Sequence, residues 1–223
     1  MNGRFVKLMA AAALGSAALF GSTVKVSIGA NNAFPGGNIG PYTVAVGGMT
    51  EFVYCDDETH TVYPNETWTA NLTSLGALIA LGNANIASSS PVMWRGLPNA
   101  LTLYEQVAWL VNQFGSHAAD ASGLQNAIWD IFLQKSGTGL NTDPTTDAYW
   151  LVQAATNYSK LTAAQIADTF ILTPIAGTTV PSADGTPQEF LYVTPEPASY
   201  ALIGIGIVLL SLGSFRRGNR KTN

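Results

Sequence analysis

The only cysteine in 223 residues, Cys55, stands in the run Phe-Val-Tyr-Cys-Asp-Asp-Glu-Thr-His, between aromatic residues and three consecutive acids. A thiol beside carboxylates and an imidazole raises the question of a metal. Structural zinc takes four convergent nitrogen and sulfur ligands, and Cys55, Asp56, Asp57, Glu58 and His60 have no second Cys/His pair to complete a set. Calcium loops follow an Asp-x-Asp-x-Asp-Gly pattern that is absent here. No metal and no other cofactor is therefore expected. A hydrolase pairing Cys55 with His117 has no local signature behind it. A buried, inert thiol is common for a free cysteine. A reactive group, or an intermolecular disulfide, is the alternative that an odd cysteine in an exported chain raises.

Export is written in the ends. Arg4 and Lys7 precede an apolar stretch over residues 8–20, and Gly21, Ser22 and Thr23 offer small residues for cleavage. This is the form of a signal peptide, placed at residues 1–23, with a second candidate cut near Gly29. Residues 198–215 form an uncharged run of 18, about 27 Å as a helix, enough to cross a bilayer core. Arg216, Arg217, Arg220 and Lys221 follow, and positive flanks stay in the cytoplasm. Both ends thus point inward and the middle is expected outside, held by a single C-terminal transmembrane helix. Pro195-Glu196-Pro197, the Gly-rich apolar span and the terminal arginines, Arg216 and Arg217 first among them, together resemble the PEP-CTERM sorting signal. That resemblance covers residues 195–223. It implies a bacterium that makes exopolysaccharide and an exosortase-type membrane protease that cuts near Pro195-Glu196-Pro197. It further implies inner-membrane anchoring before processing, then the cell surface or extracellular matrix, with exopolysaccharide association possible.

The exported body is strongly acidic. Residues 31–194 hold thirteen Asp and Glu against Arg95, Lys135 and Lys160. Nucleic acid is excluded as a partner, because phosphate contacts need a basic surface. Residues 24–194 are one domain's worth, long enough to bury a core without disulfides.

The elements that must position Cys55 follow from periodicity. Strands are expected at 24–28, which alternates, at 42–46 and at the apolar and aromatic 51–54, with a turn at Gly47-Gly48 and a hairpin of 60–63 with 66–72 around Pro64-Asn65. From Leu103 the period lengthens: Val107, Leu110, Val111 and Phe114 line one helix face, with Asn99 as cap and Gly115 as stop. A second helix over 122–134, capped by Ser122, places Leu124, Ala127, Ile128 and Ile131 on one face and Gln125, Trp129 and Phe132 on the next. A third is expected from Asp143-Pro144 and a fourth over 162–168, before strands at 169–175 and 189–194. Strands, a helical block, then strands make an α+β domain with the helices as an insertion.

Within this layout, Tyr54-Cys55-Asp56-Asp57 and Gln125-Asn126-Ala127-Ile128-Trp129 resemble the motifs of bacterial thioester adhesin domains, a likeness running from about Val24 to Thr194. It departs at Leu124, where Thr is frequent, and at Asp56, where an apolar residue is frequent. The resemblance implies a β-barrel or sandwich carrying the helical block, and a bond between the Cys55 sulfur and the Gln125 side-chain carbonyl, with Tyr54, Asp56, Asp57 and Trp129 in supporting places. With Gln125 near N3 of its helix, unpaired N–H groups there are expected to favour a thiolate and hold an oxyanion. Phe52, Tyr54 and Trp129 are expected to exclude water.

The expected protein is thus not an enzyme. It is an adhesin-like surface domain that captures an amine or hydroxyl on a partner once, covalently. The competing expectation is a passive exopolysaccharide or biofilm matrix protein in which Cys55 is a free buried thiol.

Overall fold

The structure is a computed structural model describing residues 22–29, 40–135, 142–180 and 185–194. Six strands close into an all-antiparallel barrel: β1 (Ser22–Ile28), β2 (Tyr42–Val46), β3 (Met49–Cys55), β4 (Thr67–Ser74), β5 (Thr169–Pro174) and β6 (Phe190–Val193), in the order β1-β2-β3-β6-β5-β4. Gly47 and Gly48 both take positive φ in the turn that pairs Val46 with Met49, the geometry a two-residue hairpin requires.

The helices fill the connection between β4 and β5, which are themselves paired, Ser74 opposite Phe170. They are α1 (Leu75–Leu81), α2 (Asn83–Ser89), α3 (Ala100–Val111), α4 (Ala121–Phe132), α5 (Asp147–Asn157) and α6 (Ala163–Asp168), with short 3-10 turns between. Ser74 ends β4 and caps α1 through Ala77 N. Thr162 and Gln165 form a reciprocal capping box on α6, which hands the chain to β5. The α+β class, with a barrel and an inserted helical block, therefore holds.

Strand alternation divides the core in two. Val26, Val44, Val53, Cys55, Trp68, Leu172 and Phe190 pack inside the barrel. Ile171 and Leu191, one residue out of phase with Leu172 and Phe190, join Leu78, Tyr104, Leu110, Leu124 and Ile128 between the barrel wall and the helices. The face of α4 expected from its period is buried as expected.

Several local expectations are corrected. Residues 60–63 form no strand; the Asp57 carboxylate instead binds Thr59 N, Thr59 Oγ1 and His60 Nδ1 and holds that segment as a compact loop. The third helix begins at Asp147 under a Thr146 cap, not at Asp143, whose side chain is committed to the turn at Thr145. The helix after Asn99 ends at Val111, before Gly115. The helices α1 and α2 have no counterpart in the periodicity reading. No helix among the described residues is long and apolar enough to cross a membrane. The tail at 195–223 and most of the signal peptide lie outside the described residues. Ser22 and Thr23 fall inside β1, paired with Leu72 and Asn71. A cut near Gly29 would remove a strand that both β2 and β4 require.

Candidate functional site

Cys55 ends β3 and Gln125 lies in α4, yet both residues are fully buried and the Gln125 side chain reaches the Cys55 backbone. Gln125 Nε2 donates to the Cys55 backbone carbonyl at 2.6 Å. Because that carbonyl can only accept, the amide nitrogen must face it, and Gln125 Oε1 is turned the other way. There it is buried without a donor, close against Gly40, where an added Cβ would stand 2.7 Å from it. A buried carbonyl with no donor is costly, so its tolerance here marks a special place.

Gly40 therefore shapes the site, and its substitution gives a prediction. Gly40→Ala drives a methyl into a fully buried carboxamide that has no room to swing. A loss of about 1–3 kcal/mol is expected, read as a lower midpoint in thermal denaturation. An unchanged midpoint would show that Gln125 is not pinned as described.

The activation expected from a helix terminus is absent. The α4 helix starts at Ala121, after a 3-10 turn, with Asp120 at the cap position and no capping side-chain bond. Gln125 is thus the fifth helical residue, past the free N–H groups of the first turn, and Ser122 is not the cap. Gly123 serves packing, since a Cβ there would lie 2.9 Å from the Thr145 backbone. Nor is Cys55 poised as a thiolate. Burial pushes its pKa well above the ordinary thiol range, and the neighbouring Asp56 adds to this. Its sulfur donates to Asp57 O at 3.1 Å.

The residues expected around the pair divide between the site and other places. Tyr54 points to the other side of β3 and packs its ring on Phe114, 4.4 Å between centroids, in the helix-side core. Phe52 is 62% exposed and shields nothing. Trp129 does flank the site: it is half-buried and packs against the barrel-interior cluster that contains Cys55. Asp57 is wholly buried and builds the loop after Cys55, its carbonyl also accepting from Gln188 Nε2. Among the described residues no three His, Cys, Asp or Glu side chains are grouped to hold a metal ion.

Asp56 belongs to a network that sequence reading missed. Its buried carboxyl has no N–H or hydroxyl donor; its partner is Glu189, also fully buried. Glu189 accepts from the Tyr104 hydroxyl, the Thr173 hydroxyl and Met93 N. Burial, then the charge of Glu189, pushes Asp56 well above the carboxylate range. Glu189 is raised by burial, but the hydrogen bonds it receives, that of Asp56 first, oppose the rise. Both directions favour a proton on the Asp56 side of the pair, where it would donate to the Glu189 carboxylate. No local pattern announces this, because Asp56, Tyr104, Thr173 and Glu189 come from four separate stretches. The sorting residues Pro195, Glu196, Pro197, Arg216 and Arg217 lie outside the described residues.

The site thus brings together one thiol, one carboxamide with an unengaged carbonyl, a half-buried indole and, in the residue after Cys55, a buried carboxyl whose pKa is pushed up. No protein-family model, curated protein or solved structure matches the chain.

Proposed function

We propose that Cys55 and Gln125 form an internal thioester with which the exported domain captures a nucleophile, amine or hydroxyl, on a partner surface. The observation that carries the reading is the burial of one thiol residue against one carboxamide, brought together across 70 positions and joined by the bond from Gln125 Nε2 to the Cys55 carbonyl. In forming the bond, Cys55 Sγ adds to Gln125 Cδ, the Cδ–Nε2 bond breaks, and ammonia leaves with the thiol proton. Exclusion of water from this interior protects the product from hydrolysis. Capture reverses the roles: a nucleophile takes Cδ and the sulfur leaves as a thiol. One event consumes the site, so the domain is a covalent binder, similar in this respect to thioester adhesins, and not an enzyme.

The test is thiol labelling of the denatured mature protein before and after hydroxylamine. A thiol that appears only after hydroxylamine supports the bond. A thiol free from the start supports the second reading, a passive matrix protein. The raised pKa of Cys55 and its hydrogen bond to Asp57 O are the features that favour that alternative.

The sorting tail completes the proposal. Pro195-Glu196-Pro197, the apolar span and Arg216-Arg217 are read as a signal that an exosortase-type protease removes, leaving the domain at the surface or in an exopolysaccharide matrix. The mature surface protein is expected to lack Arg216 by peptide mass mapping. Its presence would make the tail a permanent anchor.

A further inference from the structure

We propose that the Trp129 indole N–H is the hydrogen-bond donor that holds the charge of the Cys55 sulfur while the Cys55–Gln125 bond forms and opens. The role in bond chemistry rests on the thioester reading above; the hydrogen bond itself does not.

Three observations converge on Trp129. Its ring packs on the cluster that contains Cys55. Its Nε1 is buried and without a hydrogen bond of regular geometry, a costly state for a strong donor unless it has a use. It lies four residues from Gln125, one helical turn along the same face, so both side chains reach the same end of the barrel. The indole also favours the ionised form of the Cys55 thiol, against the larger opposing effects of burial and Asp56.

Several cationic side chains are committed elsewhere. His60 is held on Asp57 at 2.6 Å and Lys135 on Asp130 at 2.6 Å. The exposed Arg95 donates to the carbonyls of Pro91 and Val92. The first turn of α4 ends before Gln125. The acids next to Cys55 act in the wrong sense.

The step balances simply. When an amine opens the thioester, its nitrogen bonds Gln125 Cδ and the Cδ–Sγ bond breaks. The electron pair of that bond stays on sulfur, facing the indole N–H, and the proton lost by the amine finally restores the thiol. Formation runs through the same charged sulfur in the opposite direction.

The test uses the mature full-length domain with two replacements: Trp129→Phe, and Trp129 replaced by 3-benzothienylalanine, which keeps the bicyclic shape and puts sulfur where the N–H was. Circular dichroism checks that the barrel persists. In the first arm, methylamine opens the thioester and the released Cys55 thiol is followed with time; both replacements are expected to slow release about tenfold, the scale of one hydrogen bond to a charged group. In the second arm the same replacements are made in Gln125→Ala, where no thioester can exist. The rate of native Cys55 with methyl methanethiosulfonate at fixed pH then reports the thiolate fraction, and about a tenfold fall is again expected. A purely structural Trp129 would give the opposite result with Phe, because a smaller ring opens access and speeds modification. Unchanged or faster rates in the second arm with the benzothienyl residue overturn the proposal. A wild type without a thioester overturns the preceding reading and the role in bond chemistry, while the second arm still decides whether the indole binds the sulfur.

Discussion

Freshly folded protein is expected to weigh one ammonia less than its sequence, the mass signature of the proposed bond between Cys55 and Gln125. Methylamine is expected to add at Gln125 and free the Cys55 thiol in a single step. Cys55→Ala and Gln125→Ala should each abolish both effects while the fold persists, since Gln125 belongs to neither apolar core and Cys55 is one small member of the barrel core. Both partners are wholly buried, so a small amine should react well before a bulky one, and a macromolecular target needs the site to open. Intact mass has one ambiguity, which peptide mapping removes. Hydrolysis of the thioester leaves Glu at position 125, whereas a bond that never formed leaves Gln. Unmodified Gln125 in every preparation, with Cys55 open to alkylation on unfolding, would falsify the bond and leave the passive surface protein as the reading.

Glu189→Ala is expected to be among the most damaging single changes in the domain. It strips the acceptor from the buried Tyr104 and Thr173 hydroxyls, from the half-buried Met93 N and from the Asp56 carboxyl at once. Each orphaned buried donor costs about 1–3 kcal/mol, and loss of one buried charge offsets part of the sum. A net loss of about 3 kcal/mol corresponds to a melting point lower by roughly 6–12 °C for a domain of this size. Asp56→Asn separates hydrogen bonding from titration, because an amide still donates to Glu189 but cannot ionise. The folded pKa of Asp56 lies above its unfolded value, so its favourable contribution is complete below the unfolded carboxylate range and is lost as pH rises toward the folded value. Against wild type, Asp56→Asn should therefore match at acid pH and gain stability steadily through neutral pH. Denaturant titrations between pH 4 and 9 check this. A difference between the two proteins that does not vary with pH would mean that Asp56 is not the proton carrier of the pair.

The sequence by itself determined the large divisions. All six strands were located, β4 as the second arm of the expected hairpin and β3 by its apolar and aromatic residues, because a strand with one face in a core repeats every two residues. The stripe at Leu124, Ala127, Ile128 and Ile131 fixed both the existence of α4 and the face it buries. The same helical period set Gln125 and Trp129 on one side, so part of the candidate site was legible before any fold was known. What was not legible was of two kinds. Helix starts were misplaced at Ser122 and Asp143 because capping is a contest between neighbouring side chains, and Thr146, not Asp143, took the Tyr149 N–H. The short helices α1 and α2 carry too few turns for a periodic signal.

The electrostatics of the site were decided only by tertiary structure. An acid beside a cysteine reads as a solvated charge in sequence, and Asp56 is pushed toward its neutral form only because it is buried beside Glu189, on which Tyr104 and Thr173 converge from distant elements. Gly40 gained its meaning in the same way, from the Gln125 carbonyl that closes on it. Burial and long-range pairing set protonation, and both depend on contacts between residues far apart in the chain, which local spacing does not encode.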